Sequence, residues 1–411
     1  MAKYKIIDLF AGCGGLCDGF EQTGFFYQVA CVEWEKAPRD TLVRRLEDRW
    51  GYADAQYRVA RFDIQRTDEL FRGWTKDSVY GDGVGLDKLV AKSGHIDLIV
   101  GGPPCQAYSI AGRIRDENGM QNDYRNYLFE CYLKVVDRYK PKAFVFENVT
   151  GILSARPHGI NIIERIRQTF LDHGYELINN ISNNAIVDLV HFGVPQKRSR
   201  VILLGLNRSK FTGDRQKALS EFYNDILPAY RSDKVSTVRD AIGNLPALRP
   251  VKGSYKVNNR LYSHKPDSTD ILNHYPRYHN SRDRKIFYEL AADLDSGKNH
   301  YVSVEAIKQL YAERTGRTSS VHKYYVLRRN EPSNTIPAHL YKDGLRHVHY
   351  DPKQARSITV REAARLQTFD DDFEFLGSMG DQYKMIGNAV PPLFSKRLGY
   401  AVKDLLHKYK L

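Results

Sequence analysis

A cysteine set directly after paired glycines and paired prolines, in Gly101-Gly102-Pro103-Pro104-Cys105-Gln106, is the side chain this sequence best equips to act as a nucleophile. Each proline fixes its own φ and drives the preceding residue toward extended backbone. The run follows Ile96-Asp97-Leu98-Ile99-Val100, a short apolar stretch that reads as a buried strand ended by glycines. Cys105 is therefore expected on a loop at the carboxyl end of a strand, where open α/β sheets collect ligands and chemistry. A structural cysteine would sit more naturally inside the apolar run. Glu147, in Glu147-Asn148-Val149, follows the apolar Ala143-Phe144-Val145-Phe146 and is expected at another strand end beside Cys105. A carboxyl there can protonate, or hydrogen-bond to, a substrate ring while a thiolate attacks it. Taken alone, the same acid could equally cap the next turn. Arg198 and Arg200, in Gln196-Lys197-Arg198-Ser199-Arg200, lead into a strand expected over 201–206, and alternation puts the two on one face. Guanidinium pairs of this kind hold a carboxylate, a base carbonyl or a phosphate. Apolar Val194 and Val201 flank the run and argue for partial burial over a solvated basic patch.

A second constellation is suited to a cofactor. Asp8-Leu9-Phe10-Ala11-Gly12-Cys13-Gly14-Gly15 follows a first strand and opens a helix, and its glycines let the backbone turn tightly against a ligand. Glu33 ends a second strand about twenty residues later, where an acid can bind two ribose hydroxyls. Trp34 beside it can stack on an adenine, and Asp63-Ile64 ends a third strand. A glycine turn alone says little, but acids and an aromatic at successive strand ends say much more. The spacing is neither the dinucleotide G-x-G-x-x-G nor the G-x-x-x-x-G-K-[ST] phosphate loop. An adenosine-bearing cofactor without a pyrophosphate fits best, and S-adenosylmethionine is the candidate.

The elements that must position these residues alternate between strand and helix. Strands are expected at 6–10, 29–33, 59–62, 96–100, 143–146, 175–178 and 201–206, and helices at 38–49, 86–91, 127–139 and 161–173. Such alternation predicts an α/β protein with a Rossmann-like, doubly wound, mostly parallel sheet. The stretch 66–94 reads as an irregular insertion. Beyond Leu206 the alternation breaks, and helices return only at 358–369 and 393–407. Positions 251–330 carry fifteen Lys or Arg against eight Asp or Glu, with nine tyrosines and five histidines. Such side chains contact bases and phosphates, although charge alone leaves a solvated loop-rich domain as an equal alternative. The whole chain of 411 residues has 62 Lys plus Arg against 49 Asp plus Glu, a net charge of +13 that suits a polyanionic partner. Five cysteines in so long a chain do not make a disulfide scaffold. Cys13 and Cys17 lack the further Cys or His pair of a zinc site, so no metal is expected. There is no signal-peptide layout and no apolar run long enough to span a membrane. A reduced, soluble, cytoplasmic protein is expected.

Together these segments resemble the DNA (cytosine-5) methyltransferases, in particular the single-chain enzymes of bacterial restriction–modification systems. The resemblance covers nearly the whole chain in the family's order. Residues 8–15 resemble the cofactor loop, Glu33-Trp34 the ribose and adenine contacts, Asp63-Ile64 a further adenine contact, and 101–106 the nucleophile loop. Glu147-Asn148-Val149 resembles the ring-protonating motif and 196–200 the Q-x-R-x-R motif. Residues 356–369 resemble the segment that organises the recognition domain, and Gly387-Asn388-Ala389-Val390-Pro391-Pro392 the motif that completes the cofactor pocket. The resemblance implies S-adenosylmethionine held by Phe10, Ala11, Gly12, Gly14, Gly15, Leu16, Glu33, Trp34, Asp63, Ile64, Pro104, Asn388 and Ala389. It implies a target cytosine rotated out of double-stranded DNA, Cys105 adding to C6, Glu147 stabilising the ring protonated at N3, and Arg200 with Arg198 holding the base. The methyl then passes to C5. Residues 1–206 with 380–411 would form the catalytic domain and 207–379 a smaller, irregular target-recognition domain. Residues 109–126 would be the loop that closes over DNA. A monomer paired functionally with a cognate restriction endonuclease is expected. Departures from the family pattern are small: Tyr108 stands where phenylalanine is frequent, Cys17 lies in the helix after the glycine loop, and Asp370 replaces a frequent proline. A tRNA methyltransferase on the same scaffold, or a DNA-binding protein without catalysis, are the alternatives.

Overall fold

The computed structural model describes residues 2–104, 128–156, 159–257, 259–266, 271–320, 324–342 and 344–411. The chain divides into two compact units, one made of Met1–Gly193, Arg198–Asp233 and Ala389–Leu411 and the other of Val194–Lys197 and Lys234–Asn388.

The first unit is built on one sheet of eight strands among the described residues. β1 (Tyr4–Leu9), β2 (Phe26–Glu33) and β3 (Val59–Arg61) run outward in one direction, while β4 (Trp74–Asp77) and β5 (Gly81–Gly83) form a small separate hairpin in the 66–94 insertion. β6 (Leu98–Gly101), β7 (Ala143–Val149), β8 (Tyr175–Glu176), β9 (Ile186–Asp188) and β10 (Ser199–Asn207) complete the sheet in the order 3-2-1-6-7-10-8, with β9 on β10. β1, β2, β3, β6 and β7 pair in parallel within the sheet, and β10 lies antiparallel to β7, β8 and β9. The strand order reverses between β1 and β6, and in open sheets the crevice at such a reversal receives the ligand. Parallel strands covered on both faces read as continuous apolar runs, and Leu98-Ile99-Val100 and Ala143-Phe144-Val145-Phe146 are fully buried accordingly.

Helices α1 (Gly15–Glu21), α2 (Lys36–Asp48), α3 (Leu86–Ser93), α4 (Leu128–Tyr139) and α5 (Ile162–Asp172) belong to this unit, with a closing helix at Pro392–Lys408. The Tyr132 hydroxyl of α4 lies 3.0 Å from the carbonyls of both Ile99 and Val145, hooking that helix onto β6 and β7. Asn161 caps α5 by accepting from the Ile163 amide at 3.1 Å.

The unit boundaries fall elsewhere than the change in sequence pattern suggests. Residues 207–233 stay with the first unit because their side chains are fastened to it. The Tyr223 hydroxyl donates to Ile202 O and accepts from Leu204 N, each at 2.9 Å on β10. Glu221 pairs with Lys408 and accepts from the Tyr409 hydroxyl at 2.6 Å, and Tyr230 bonds Asp404 of the closing helix. Residues 380–388 stay with the second unit, where Gln382 Nε2 donates to Phe375 O at 2.9 Å and a Cβ on Gly387 would collide with the backbone of Pro337.

The second unit contains a two-stranded ribbon, β11 (Leu248–Val257) with β12 (Arg260–Pro266), and helices α6 (Ser281–Asp295), α7 (Val304–Thr315), α8 (Val360–Leu366) and α9 (Met379–Asn388). At its heart Arg356 and Glu362, both fully buried, make a two-point ion pair with both N–O distances 2.6 Å. Glu362 also completes a capping box with Thr359 at the start of α8. Arg356 reaches Gln354 Oε1 at 2.6 Å, and the same oxygen accepts from the Leu248 amide at 3.0 Å. His264 of β12, its pKa pushed down to about 4 by burial and then by the Arg356 charge, lies 2.8 Å from Gln354 O. One buried guanidinium thus ties a helix cap to the base of the ribbon.

Removing one partner of a buried pair strands the other charge. Glu362→Ala should cost about 3–5 kcal/mol of stability, measured by denaturant unfolding. An unchanged midpoint and slope would show that Arg356 is satisfied without it.

Candidate functional site

The turn after β1 needs backbone that ordinary residues avoid. Phe10, Gly12 and Gly14 all have positive φ, at 58°, 57° and 94°, and Gly14 in the left-handed conformation opens α1. A Cβ on Gly15 would collide with the Val390 carbonyl oxygen, whereas one on Gly12 would meet nothing within 4 Å. The loop is therefore packed from behind by the 389–390 segment and open at Gly12. Glu33, at the end of β2, accepts from the Gly12 amide at 2.9 Å and from the Glu35 amide at 2.8 Å. Burial raises its pKa to about 7 against the pull of those amides. Trp34 is 47% exposed, an indole held at the surface beside a buried acid. Asp63 lies past the end of β3, which stops at Arg61, and accepts from the Gln65 amide at 2.9 Å, while Ile64 is buried. Leu16 and Ala11 are also buried. Asp8 is fully buried at the end of β1, and burial, reinforced by the Glu33 charge, pushes its pKa well up. A carboxyl, an exposed indole and an open glycine turn around one strand end suit an adenosine.

The adjoining strand end carries the second group. Leu9 of β1 pairs with Gly101 of β6, so the two loops leave the sheet side by side. Glu147 does not follow β7 as expected but lies within it, because the strand continues through Val149. Its carboxylate reaches over Gly102, where a Cβ would sit 2.6 Å from Glu147 Oε2. Asn148 Nδ2 donates to Pro103 O at 3.3 Å. Opposite Glu147 on β10 is Ile202, and opposite Val149 is Arg200. Glu147 and Arg200 are therefore diagonal neighbours on one face, and Arg200 Nε donates to Glu147 Oε1 at 2.8 Å with each side chain 12% exposed.

The two arginines have different destinations. Arg198 precedes β10, is buried, and its Nη2 donates to Ala389 O at 3.1 Å, fastening the closing segment. Arg200 alone of the two pairs with Glu147. Pro104 is partly exposed, and Cys105, Gln106, Tyr108 and the 109–126 segment lie outside the described residues. Asn388 ends α9 in the second unit, and Ala389 begins the first unit's last segment. Asn148's hold on Pro103, the room at Gly102 and the Tyr132 hook belong to the site's architecture but escaped the sequence reading. Asn148 was visible within its motif, whereas Tyr132 carries no local signal. Gln196 is also a fastener: within the second unit its Nε2 donates to Gln367 Oε1 at 2.7 Å and its Oε1 accepts from the Ile336 amide at 2.9 Å. Among the described residues no cluster of three His, Cys, Asp or Glu is arranged to hold a metal ion, and no helix is long and apolar enough to cross a membrane.

Fold and site define a doubly wound α/β protein with a glycine turn and a buried acid at the ends of β1 and β2 and an acid–guanidinium pair on β7 and β10. The chain belongs to the C-5 cytosine-specific DNA methylase family, whose sequence model matches residues 4–404. It is 33% identical over 460 aligned positions to the type II methyltransferase M.Bpa9945I of Bacillus paralicheniformis, covering 98% of this chain and 99% of that relative. It is 30% identical over 411 positions to the type II methyltransferase M1.HphI of Haemophilus parahaemolyticus, covering 98% and 89%. In fold it is similar to the S. pombe Dnmt2 methyltransferase, with a TM-score of 0.54 at 15% identity over the full length of both chains. The chain is thus a DNA methyltransferase of the cytosine-C5 class.

Gly102→Ala tests the closeness of the acid to the segment after β6. The added methyl must displace the flexible end of Glu147, so methyl transfer should fall about tenfold to a hundredfold while the thermal midpoint changes little. Undiminished turnover would mean that the carboxylate's position over Gly102 is unimportant.

Proposed function

We propose that this chain is a sequence-specific DNA cytosine-C5 methyltransferase that works on a base turned out of the duplex, through a transient bond between Cys105 and C6. The reading rests most heavily on one observation: a carboxylate fixed by Arg200 lies against Gly102, three residues before Cys105 in the chain. A base buried in the helical stack is out of reach of such a site, so the target must be extruded. The Cys105 thiolate adds to C6, and Glu147 holds a proton at N3, so the electrons displaced from the ring accumulate at C5. Bound S-adenosylmethionine supplies the methyl group to that carbon as a sulfonium electrophile. Loss of the C5 proton and expulsion of the Cys105 thiolate then restore the aromatic ring.

The residues around β1 and β2 fit that cofactor. Gly12 leaves open space, Glu33 has acceptor capacity for ribose hydroxyls, and Trp34 offers an exposed face to adenine. Phe10, Ala11, Gly14, Gly15, Leu16, Asp63, Ile64, Pro104, Asn388 and Ala389 complete the proposed contacts. Arg200 orients Glu147 and reaches toward the base, and Arg198 secures the carbonyl of Ala389. The second unit is proposed to recognise the DNA sequence. The likeness to two named type II methyltransferases supports a modification enzyme that protects DNA from a cognate restriction endonuclease.

Purified protein given labelled S-adenosylmethionine should place the label on C5 of cytosine in duplex DNA, with tRNA unable to compete. Cys105→Ala should lower transfer by roughly a thousandfold or more and leave cofactor affinity as it was; label transfer by that variant at the native rate would contradict the proposed bond.

Glu33 adds a pH signature. Its carboxyl is protonated below about 7 in the free protein, and ribose hydroxyls need the carboxylate as acceptor. Binding therefore takes place with loss of a proton on the acid side, and affinity should weaken by up to about tenfold per pH unit below 7 and level off above it. Titration calorimetry with S-adenosylhomocysteine from pH 5.5 to 8.5 measures this. A flat profile would remove Glu33 from the ribose contact.

A further inference from the structure

The ribbon β11–β12 has features that folding alone does not require. From Leu248 to Pro266 it carries five cations, Arg249, Lys252, Lys256, Arg260 and Lys265, and no acid. Among the described residues its strands pair with each other and with no other strand, and an isolated two-stranded ribbon is marginally stable in water. The structure spends unusual effort on anchoring the base. Leu248 and His264 are tied to Gln354, the His279 amide donates to Ser263 Oγ at 2.9 Å, and Arg284 Nη1 donates to Val251 O at 2.7 Å. Tyr255 and Tyr262 stack across the strands at 5.5 Å and stiffen the middle. The outer part is left bare. Lys252, Ser254, Lys256 and Val257 are exposed, and the register slips between Pro250 and Tyr255, where Gly253 at φ 84° lets the chain bulge outward with Lys252 on it. Among the described residues no carboxylate is paired with Lys252, Lys256 or Lys265.

The basic surface continues beside the ribbon. An open cleft of about 960 Å³ begins at Pro250 and is lined by Arg284, Lys285, Tyr288, Lys298 and Lys353. Its two acids are engaged elsewhere: Glu289 with Arg314 and the Tyr301 hydroxyl, and Asp293 with the amides of His300 and Tyr301. Arg249 at the base lies 4.0 Å from Asp351, but a fastened base, exposed residues along β11, and Lys252 and Lys256 without a paired carboxylate among the described residues suit a regularly spaced polyanion. A two-stranded ribbon is also of a size the major groove of B-DNA admits.

We propose that the β11–β12 ribbon is the part of the second unit that lies along the duplex substrate, with Lys252 and Lys256 on backbone phosphates. This rests on the reading of the chain as a duplex DNA methyltransferase. The competing role for such lysines is protective, since charges on exposed strand edges prevent strand-to-strand aggregation. The two roles predict different outcomes. Chromosomal DNA fragments serve as the probe, with binding measured from 50 to 300 mM salt and methyl transfer measured alongside. Each phosphate contact contributes about 0.9 to the slope of log affinity against log salt. K252A/K256A should therefore flatten the slope by about 1.8 and weaken binding at least about tenfold at 150 mM salt, with an unchanged melting midpoint. Lys252→Arg with Lys256→Arg should keep the native slope, as should Lys92→Ala in the first unit. The single variant Lys256→Ala should show about half the loss, which keeps the test decisive should the double variant fold poorly. Native affinity and slope in the alanine variants, with or without aggregation, would overturn the proposal. Absence of methyl transfer to DNA by the native protein would instead remove the reading beneath it.

Discussion

A carboxylate resting over a glycine is the contact on which the rest of this molecule depends. Glu147 occupies the space that a side chain at position 102 would fill, so the acid and the segment after β6 can be brought together only because Gly102 has none. Three features hold that closeness. β7 runs three residues beyond its apolar core, which places Glu147 within the sheet's hydrogen-bond ladder and not on a free turn. Asn148, next in the chain, donates to Pro103 and ties the two strand ends. Arg200, diagonal to Glu147 across the antiparallel pair, fixes the direction of the carboxylate. In a charge pair this shielded the loss of hydration offsets much of the Coulombic gain, and its value lies in orientation.

The sheet explains why the glycine loop after β1 lies beside that contact. β1 and β6 pair in register but belong to opposite arms of the strand order, so their loops diverge and leave a crevice. The glycine turn after β1 occupies one lip and the Gly101–Pro104 turn the other. Gly15 is pressed against Val390 and Arg198 holds Ala389, which makes the chain's last segment the back wall of the first loop. Residues 375 positions apart, Gly15 and Val390, thereby lie against each other behind one loop. In the second unit the same economy recurs around Arg356, whose guanidinium serves a helix cap and the base of a ribbon together.

Much of this was legible in the sequence because the chemistry demands particular residue types at strand ends. The doubly wound sheet, the glycine turn at Gly12 and the place of Glu33 at the end of a strand follow from apolar runs broken by glycine, proline and acids. The extension of β7 was not legible, since Glu147 and Asn148 look like the polar end of a strand and not its continuation. Arg198 and Arg200 share a sequence motif, yet the strand begins only at Ser199, and the two part company. The fate of 207–233 turned on Tyr223, Glu221 and Tyr230 finding partners on β10 and the closing helix, a tertiary matter without local signal. The ribbon escaped notice because a register slip, a positive-φ glycine and five cations erase the alternation by which half-buried strands are recognised.

The central claim is that a sulfur atom bonds transiently to carbon 6 of the target pyrimidine. Duplex DNA in which cytosines are replaced by 5-fluorocytosine tests it most directly, because the fluorine at C5 cannot leave as the proton does and the adduct cannot resolve. Incubation with S-adenosylmethionine should give a denaturation-resistant protein–DNA complex whose modified peptide, by mass spectrometry, carries the base on Cys105. Turnover of ordinary DNA without any such adduct, or an adduct on another residue, would contradict the account.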